Sequence, residues 1–202
     1  MSTPHERATA NAAPSSTAPS VRRSAATVVV RDATAADLPR ILEIARRCSE
    51  PRADGFLVSG YSRSDYKRFL EIAVDFLCCD DDGTVSAFAF LMRRCDLPPS
   101  DGSNRAARYA AMPYLIVKQV AVDPDARRRG LGAILYGELI QRHRGRPIGA
   151  GVVPENTASG AFHERMGFVR AVTLRDGEGG DRDLWVRGAP VSGPARAAPP
   201  PG

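Results

Sequence analysis

Between Lys118 and Leu139 the chain reads Lys-Gln-Val-Ala-Val-Asp-Pro-Asp-Ala-Arg-Arg-Arg-Gly-Leu-Gly-Ala-Ile-Leu-Tyr-Gly-Glu-Leu. Arg127, Arg128 and Arg129 stand directly before Gly130 and Gly132, and a helical apolar spacing begins at Leu131. The first N–H groups of a helix have no partner inside it, and the positive end of its dipole lies there, so such a terminus attracts phosphate. Glycine lets an anion approach the backbone closely, and guanidinium groups add charge from the solvent side. The chemistry this spacing suggests is a grip on a pyrophosphate. A solvated charge run and a nucleic-acid patch are the competing readings, and the glycines followed by a helix favour the phosphate.

The other reactive types point less clearly. Cys48, Cys78, Cys79 and Cys95 match no zinc-ligand spacing. Cys78 and Cys79 are neighbours in an expected strand, so they face opposite sides and do not share a metal. They read as small core residues, and no metal is expected. The formal net charge is +5 and the sequence pI is near 9.3, which permits a polyanionic partner without requiring one. No apolar run approaches the roughly 18 residues of a membrane helix, and the N-terminus has no apolar signal core. A cytoplasmic protein is the default, and no membrane partner is expected.

The elements that must position these residues follow from periodicity. Residues 1–25 are rich in Ala, Ser, Thr and Pro and read as a disordered leader; 189–202 read as a disordered tail. One domain, 26–188, lies between them. Thr27–Arg31 is a β-branched strand. A helix follows, capped by Asp37 or Thr34, with Leu38, Ile41, Leu42 and Ala45 on its buried face. A second helix is expected from Ser64, as its cap, to Ile72. Val74–Cys79 and Thr84–Met92 form a hairpin around Asp80-Asp81-Asp82-Gly83. Arg93–Met112 is a long polar loop, of the kind that is functional or mobile. Tyr114–Val122 is the fourth strand, and the arginine–glycine loop opens a helix with Leu131, Ile134, Leu135 and Leu139 as its stripe. Ile148–Val153 is an uncharged strand, covered on both faces. Asn156 or Thr157 caps a helix to Met166, and Gly167 ends it. Phe168–Leu174 and Asp183–Arg187 close the sheet around Gly177–Gly180. The fold class is α/β, a mixed and mostly antiparallel sheet of about seven strands flanked by about four helices.

Two motifs, in this order, give the chain a family resemblance. One is Arg127-Arg128-Arg129-Gly130-Leu131-Gly132 after Val122-Asp123-Pro124. The other is Asn156-Thr157-Ala158-Ser159-Gly160-Ala161-Phe162-His163-Glu164-Arg165-Met166-Gly167-Phe168. The chain resembles the GCN5-related N-acetyltransferases over about Thr27 to Arg187, and Thr34 to Ile41 is also typical of them. The resemblance implies acetyl-CoA as co-substrate. It implies that Arg127, Arg128, Arg129, Gly130, Leu131, Gly132 and Ala133 hold the pyrophosphate, and that the backbone of Val120, Ala121 and Val122 pairs with the pantetheine arm. A backbone N–H near Val120 would face the thioester oxygen. Asn156, Ser159, Phe162 and His163 would close the other side. This arrangement requires the fourth and fifth strands to splay apart.

The catalytic groups are sparser. His163 occupies the slot where many members place a tyrosine, and an imidazole can donate a proton to the departing thiolate. Relatives often carry a carboxylate on the fourth strand; here Lys118 and Gln119 stand there, and Glu155, beyond the fifth strand, is the nearest candidate base. The segment Gly55–Tyr61 would line the acceptor pocket, with Asp54 or Asp65 attracting a cationic amine. The expected activity is transfer of acetyl from acetyl-CoA to a primary amine, with a small molecule favoured, by direct attack in a ternary complex. The competitors are a non-catalytic acyl-CoA-binding domain and a nucleic-acid-binding protein using the arginine run. A homodimer is left open.

Overall fold

The computed structural model describes residues 28–51, 53–58, 60–99, 101, 104, 115–174 and 181–188. The expected leader and tail, the turn at Gly177–Gly180 and much of Arg93–Met112 lie outside the described residues.

The chain forms β1 (Val28–Asp32), α1 (Leu38–Cys48), α2 (Arg63–Ile72), β2 (Asp75–Asp81), β3 (Thr84–Arg93), β4 (Leu115–Val122), α3 (Leu131–Arg142), β5 (Ile148–Val152), α4 (Thr157–Arg165), β6 (Val169–Leu174) and β7 (Arg182–Arg187). The strands make one seven-stranded sheet in the order β1-β2-β3-β4-β5-β7-β6. Every neighbouring pair is antiparallel except β4–β5. The mixed α/β class is therefore as the sequence indicates.

Each face of the sheet carries its own core. Leu38, Ile41 and Ile44 of α1 and Tyr66 of α2 pack on Phe76, Phe88 and Phe90. Leu131, Leu135, Tyr136 and Leu139 of α3 pack on Leu77, Ala89 and Ile148 from the opposite side. The period-2 alternation of strands sends Cys78 to the first core and Cys79 to the second. The β2–β3 turn is tighter than expected: Asp80 and Asp81 continue the strand, and only Asp82 and Gly83 turn, both at positive φ (52° and 79°), the pairing a two-residue hairpin favours.

Two expectations need correction. The cap of α2 is Ser62, not Ser64: the Ser62 hydroxyl accepts from the Asp65 N–H, and the Asp65 carboxylate accepts from the Ser62 N–H at 2.8 Å. This reciprocal box satisfies two donors, which a cap at Ser64 could not match. On α3, Ile134 is 42% exposed, and Tyr136 takes its place in the core. The buried face of α3 is rotated by part of a turn from the one its aliphatic residues suggest.

β4 carries a bulge. Phe90 pairs with Gln119 and Leu91 with Val117, so Lys118 is an extra residue opposite β3. The alternation is broken there, and Lys118 and Gln119 both turn toward the α1–α2 face: Lys118 sits over the Tyr61 ring, and Gln119 meets Tyr66.

Candidate active site

The parallel pairing of β4 with β5 ends at Val117–Ala150, although β4 runs on to Val122 and β5 to Val152. The strands separate beyond that point and leave a cleft of ≈ 130 Å³ between them. The Asp123 N–H bonds to the Ser86 carbonyl of β3 at 2.9 Å. Alternate residues of a strand turn opposite ways, so Val120 and Val122 direct their backbone groups to the open edge. The Val122 carbonyl receives the Cys48 thiol at 3.3 Å and a long contact from Arg127 Nε at 3.5 Å. Val120 lines the cleft. Ala121 points to the first core instead.

At the end of β4 a buried carboxylate fixes the direction of the chain. Asp123 is paired with Arg40 and, at 2.6 Å, with Arg47, and it accepts from the Asp125 N–H at 3.0 Å. The loop that follows takes positive φ at Arg128 (62°) and at Gly130 (80°), and Gly130 caps α3. Gly130 is the position whose conformation calls for glycine. Leu131 is buried in the core behind the loop, while Gly132 packs between Val122 and Phe162. Ala133 lies in the first turn of α3 and is exposed.

The three arginines part company. Arg127 turns inward, pairing with Asp54 at 2.5 Å and donating to the Gly55 carbonyl at 3.3 Å. It straps the loop after α1 to the loop before α3, and its side chain is not on the open face where a phosphate-binding role would put it. Arg129 pairs with Asp81, with a second contact at 2.9 Å. Arg128 is exposed and forms no ion pair among the described residues. Three free guanidinium groups in a row would suit nucleic acid; one, beside an open helix N-terminus, suits a compact anion.

The far wall of the cleft belongs to α4. Asn156 caps the helix by accepting from the Ser159 N–H at 3.2 Å, and it donates to the Phe56 carbonyl at 2.8 Å. Ser159 and His163 line the cleft one turn apart. His163 is buried at 2% exposure. Its Nδ1 lies 2.7 Å from the Ser159 carbonyl, which can only accept, so the ring proton is on Nδ1. Nε2 is then an acceptor, and the Tyr136 hydroxyl donates to it at 2.7 Å. Burial lowers the imidazole pKa to about 4, against a smaller opposing effect of the Ser159 contact. The ring is neutral near pH 7 and, as placed, has no proton to give to a thiolate. Burial also raises the Tyr136 phenol. Phe162 lies edge-on to Tyr136, with ring centroids 4.9 Å apart, and stiffens the pair. Glu155 is exposed on the turn before α4 and does not line the cleft. The Asn156 cap takes the inward place and leaves its neighbour outside, which removes Glu155 as a base.

On the α1–α2 side the wall is built by the bulge. Lys118 pairs with Asp101 and lies 5.7 Å from the centroid of the Tyr61 ring. The Tyr66 hydroxyl donates to Gln119 Oε1 at 2.7 Å. Of the segment Gly55–Tyr61, Phe56, Leu57 and Val58 line the cleft. Asp54 and Asp65 do not: the first is tied to Arg127, and the second belongs to the α2 cap. Sequence reasoning missed Tyr136, hidden in the phase of α3, and Asp101, whose loop has no periodic signal.

Comparison with known proteins places this fold. The model of the acetyltransferase (GNAT) family matches residues 38–168, and the chain belongs to that family. No curated protein matches the sequence. Among solved structures, the chain is similar to the ribosomal-protein-alanine N-acetyltransferase of Brucella melitensis, with 25% identity and TM-score 0.57 over 79% of this chain and 98% of that one. It is similar to yncA of Salmonella typhimurium, solved with its cofactor acetyl-CoA, with 21% identity and TM-score 0.58 over 85% and 99%. An N-acetyltransferase of Staphylococcus aureus shares 19% identity and TM-score 0.57 over 80% and 98%.

Proposed function

We propose that the domain spanning 26–188 is an N-acetyltransferase that moves acetyl from acetyl-CoA to a primary amine on a small molecule. The observation that carries this reading is the open edge of β4. Beyond Val117 β4 has no partner strand on the β5 side, Val120 lines the cleft there, and the same strand leads into a helix N-terminus with one exposed arginine. A ligand with an amide-bearing arm and a pyrophosphate matches both halves: the arm adds as a strand to the edge, and the phosphates meet the loop from Arg128 to Gly132. Leu131 and Phe162 back this groove from the core side, Ala133 lies exposed in the first turn of α3 beside it, and Ser159 and Asn156 face the arm across it.

Transfer is direct in this reading. Cys48, Cys78 and Cys79 are buried and Cys95 is exposed, and none of them lines the cleft. The amine attacks within a ternary complex, and the Val120 N–H supports the oxygen that gains charge. His163 acts by placing the Tyr136 hydroxyl at the cleft beside Ser159, and this hydroxyl, on turning from His163 Nε2, passes a proton to the departing sulfur. A cytoplasmic setting, where acetyl-CoA is made and used, fits this chemistry. The test is calorimetric titration of acetyl-CoA followed by free-thiol release over a panel of amines. Binding with turnover is the expected result. Absence of binding overturns the reading, and binding without turnover on a broad panel leaves only an acyl-CoA-binding domain.

A further inference from the structure

Among the described residues, the charged side chains of the cleft do not balance. Two cations line it, Lys118 and Arg182, and one carboxylate, Asp101. Lys118 and Asp101 form an ion pair in which the side chains are only 9% and 11% exposed. The His163 ring, with its pKa lowered to about 4, adds no charge near pH 7. Arg182 is left over. It is half-buried, its Nη1 donates to the Asp181 carbonyl at 2.8 Å, and it forms no ion pair among the described residues. Asp183, the next residue of β7, does not serve it. Successive side chains of a strand face opposite ways, and the Asp183 carboxylate takes the Thr173 hydroxyl at 2.6 Å and Arg170 at 3.4 Å.

The sheet gives Arg182 one side of the cleft. Leu184 and Val186 belong to the core under α1 and α2, so Arg182, two residues before Leu184, faces the same way. Asp183 pairs with Val152 at the end of β5, which sets Arg182 beside Val153, another residue of the cleft wall. Arg182 therefore stands across β5 from the open edge of β4, on the face where Leu57 and Tyr61 pack. Leu131, at the start of α3, packs on the opposite face, so Arg182 is not placed to share the pyrophosphate with the arginine–glycine loop. A guanidinium carries five N–H donors in a planar fork and matches a carboxylate with two parallel hydrogen bonds. The single contact to the Asp181 carbonyl holds one end of that fork and leaves donors for a ligand.

We propose that Arg182 binds a carboxylate of the acceptor, so that the substrate is an amino acid with an apolar side chain rather than a simple amine. This rests on the acetyl-transfer reading. The carboxylate meets Arg182, the amine lies at the β4 edge, and the apolar side chain runs along Phe56, Leu57 and Val58. A bare ammonium would bring a second unmatched cation into the cleft, whereas an amino acid brings the charge that is missing. The zwitterion loses one ammonium proton to solvent. The freed lone pair forms the C–N bond at the thioester carbonyl, the C–S bond breaks with its electrons on sulfur, and a second nitrogen proton is matched by the one the sulfur receives. The products are the N-acetyl amino acid, the free thiol and one released proton.

The test uses the full chain, acetyl-CoA, and a panel of apolar L-amino acids, each beside the amine that lacks its carboxylate: L-leucine with 3-methylbutylamine, L-phenylalanine with phenethylamine, L-methionine with 3-(methylthio)propylamine. The readout is the ratio of kcat/KM for the amino acid to that for its amine. In the best pair the wild type is expected to favour the amino acid on the order of 10²-fold. Arg182→Gln should bring that ratio close to one, chiefly through the KM of the amino acid. Arg182→Glu should carry it below one, because the reversed charge repels the carboxylate and attracts the ammonium. A residue that only supports the fold would lower both members of a pair alike and leave the ratio in place, and that result would overturn the assignment. A wild-type ratio near or below one in every pair overturns it as well, and this reading needs no variant to fold. Wild-type activity confined to acceptors without a carboxylate overturns this proposal alone. A wild-type protein that binds acetyl-CoA but acetylates neither member of any pair nor a broader panel of amines overturns the function reading, and the role of Arg182 falls with it.

Discussion

His163 shows how one side chain couples the site to the stability of the molecule. Its imidazole is buried, with a pKa of about 4 against an ordinary 6.5. A group whose folded pKa is depressed supports the native state above the unfolded value, and that support is lost as pH falls toward the folded one. The window is therefore from pH 6.5 down to 4, and the loss from this ring alone is about 3 kcal/mol. Urea melts at pH 7 and pH 4.5 should show a large drop for the wild type and a smaller one for His163→Gln. Parallel drops would mean that other groups carry the acid sensitivity. The Tyr136 hydroxyl has a separate signature: Tyr136→Phe should lower kcat on the order of 10²-fold while acetyl-CoA affinity, read by calorimetry, stays unchanged. The motif placed His163 at the cleft, yet its state could not be read there. That state depends on the Tyr136 partner and on burial, and Tyr136 enters the core only because the face of α3 is rotated past Ile134.

At the level of elements, what was legible is what is local. The β2–β3 hairpin announces itself by Asp82-Gly83, because positive φ is a demand on single residues; that the same demand at Gly130 makes it the α3 cap came only from the structure. The splay of β4 from β5 is invisible in sequence, since it concerns strands separated by a helix and its loops. The direction of the arginines is equally hidden: Arg127 finds Asp54 in a distant turn, and Arg129 finds Asp81 at the end of β2. Two predictions belong here. Asp123→Ala removes the buried carboxylate that Arg40 and Arg47 share, leaving them Glu43 and Asp125 as partners, and takes the acceptor from the Asp125 N–H; it should cost about 2–4 kcal/mol, seen as a lower urea midpoint, and weaken acetyl-CoA binding because the loop loses its anchor. Gly130→Ala forces a side chain into positive φ and should cost about 1 kcal/mol, with a larger relative loss in acetyl-CoA affinity than in stability. An affinity equal to wild type would mean that the loop is not the phosphate grip.

For the whole molecule, two cores on one sheet meet only through the strands, and the cleft opens where the central parallel pair comes apart. A ligand laid along that gap bridges both halves and binds only the native state. At a concentration one hundred times its dissociation constant it should add about 2.7 kcal/mol, readable as a rise in Tm. Raising ionic strength should reduce the gain with acetyl-CoA more than with a pantetheine fragment that lacks the pyrophosphate, because the loop contact is the electrostatic one. An equal response of the two ligands would remove the arginine–glycine loop from binding. The class of the fold was legible from the order of elements; the division of the cleft between an α4 wall and an α1–α2 wall was not, because Asp101 reaches it from a loop without periodicity.

The bulge in β4 gives the sheet one residue more than its pairing requires. Val117 faces the second core, and Val120 and Ala121 resume strict alternation after Lys118 and Gln119. Excising Lys118 altogether would bring every later residue back into phase with β3, so a shorter chain should fold with both cores intact. Regular pairing and the lining of the cleft thus place opposite demands on the length of a single strand. A deletion of one codon should leave both cores in place while removing the Lys118 side chain that lines the cleft and pairs with Asp101.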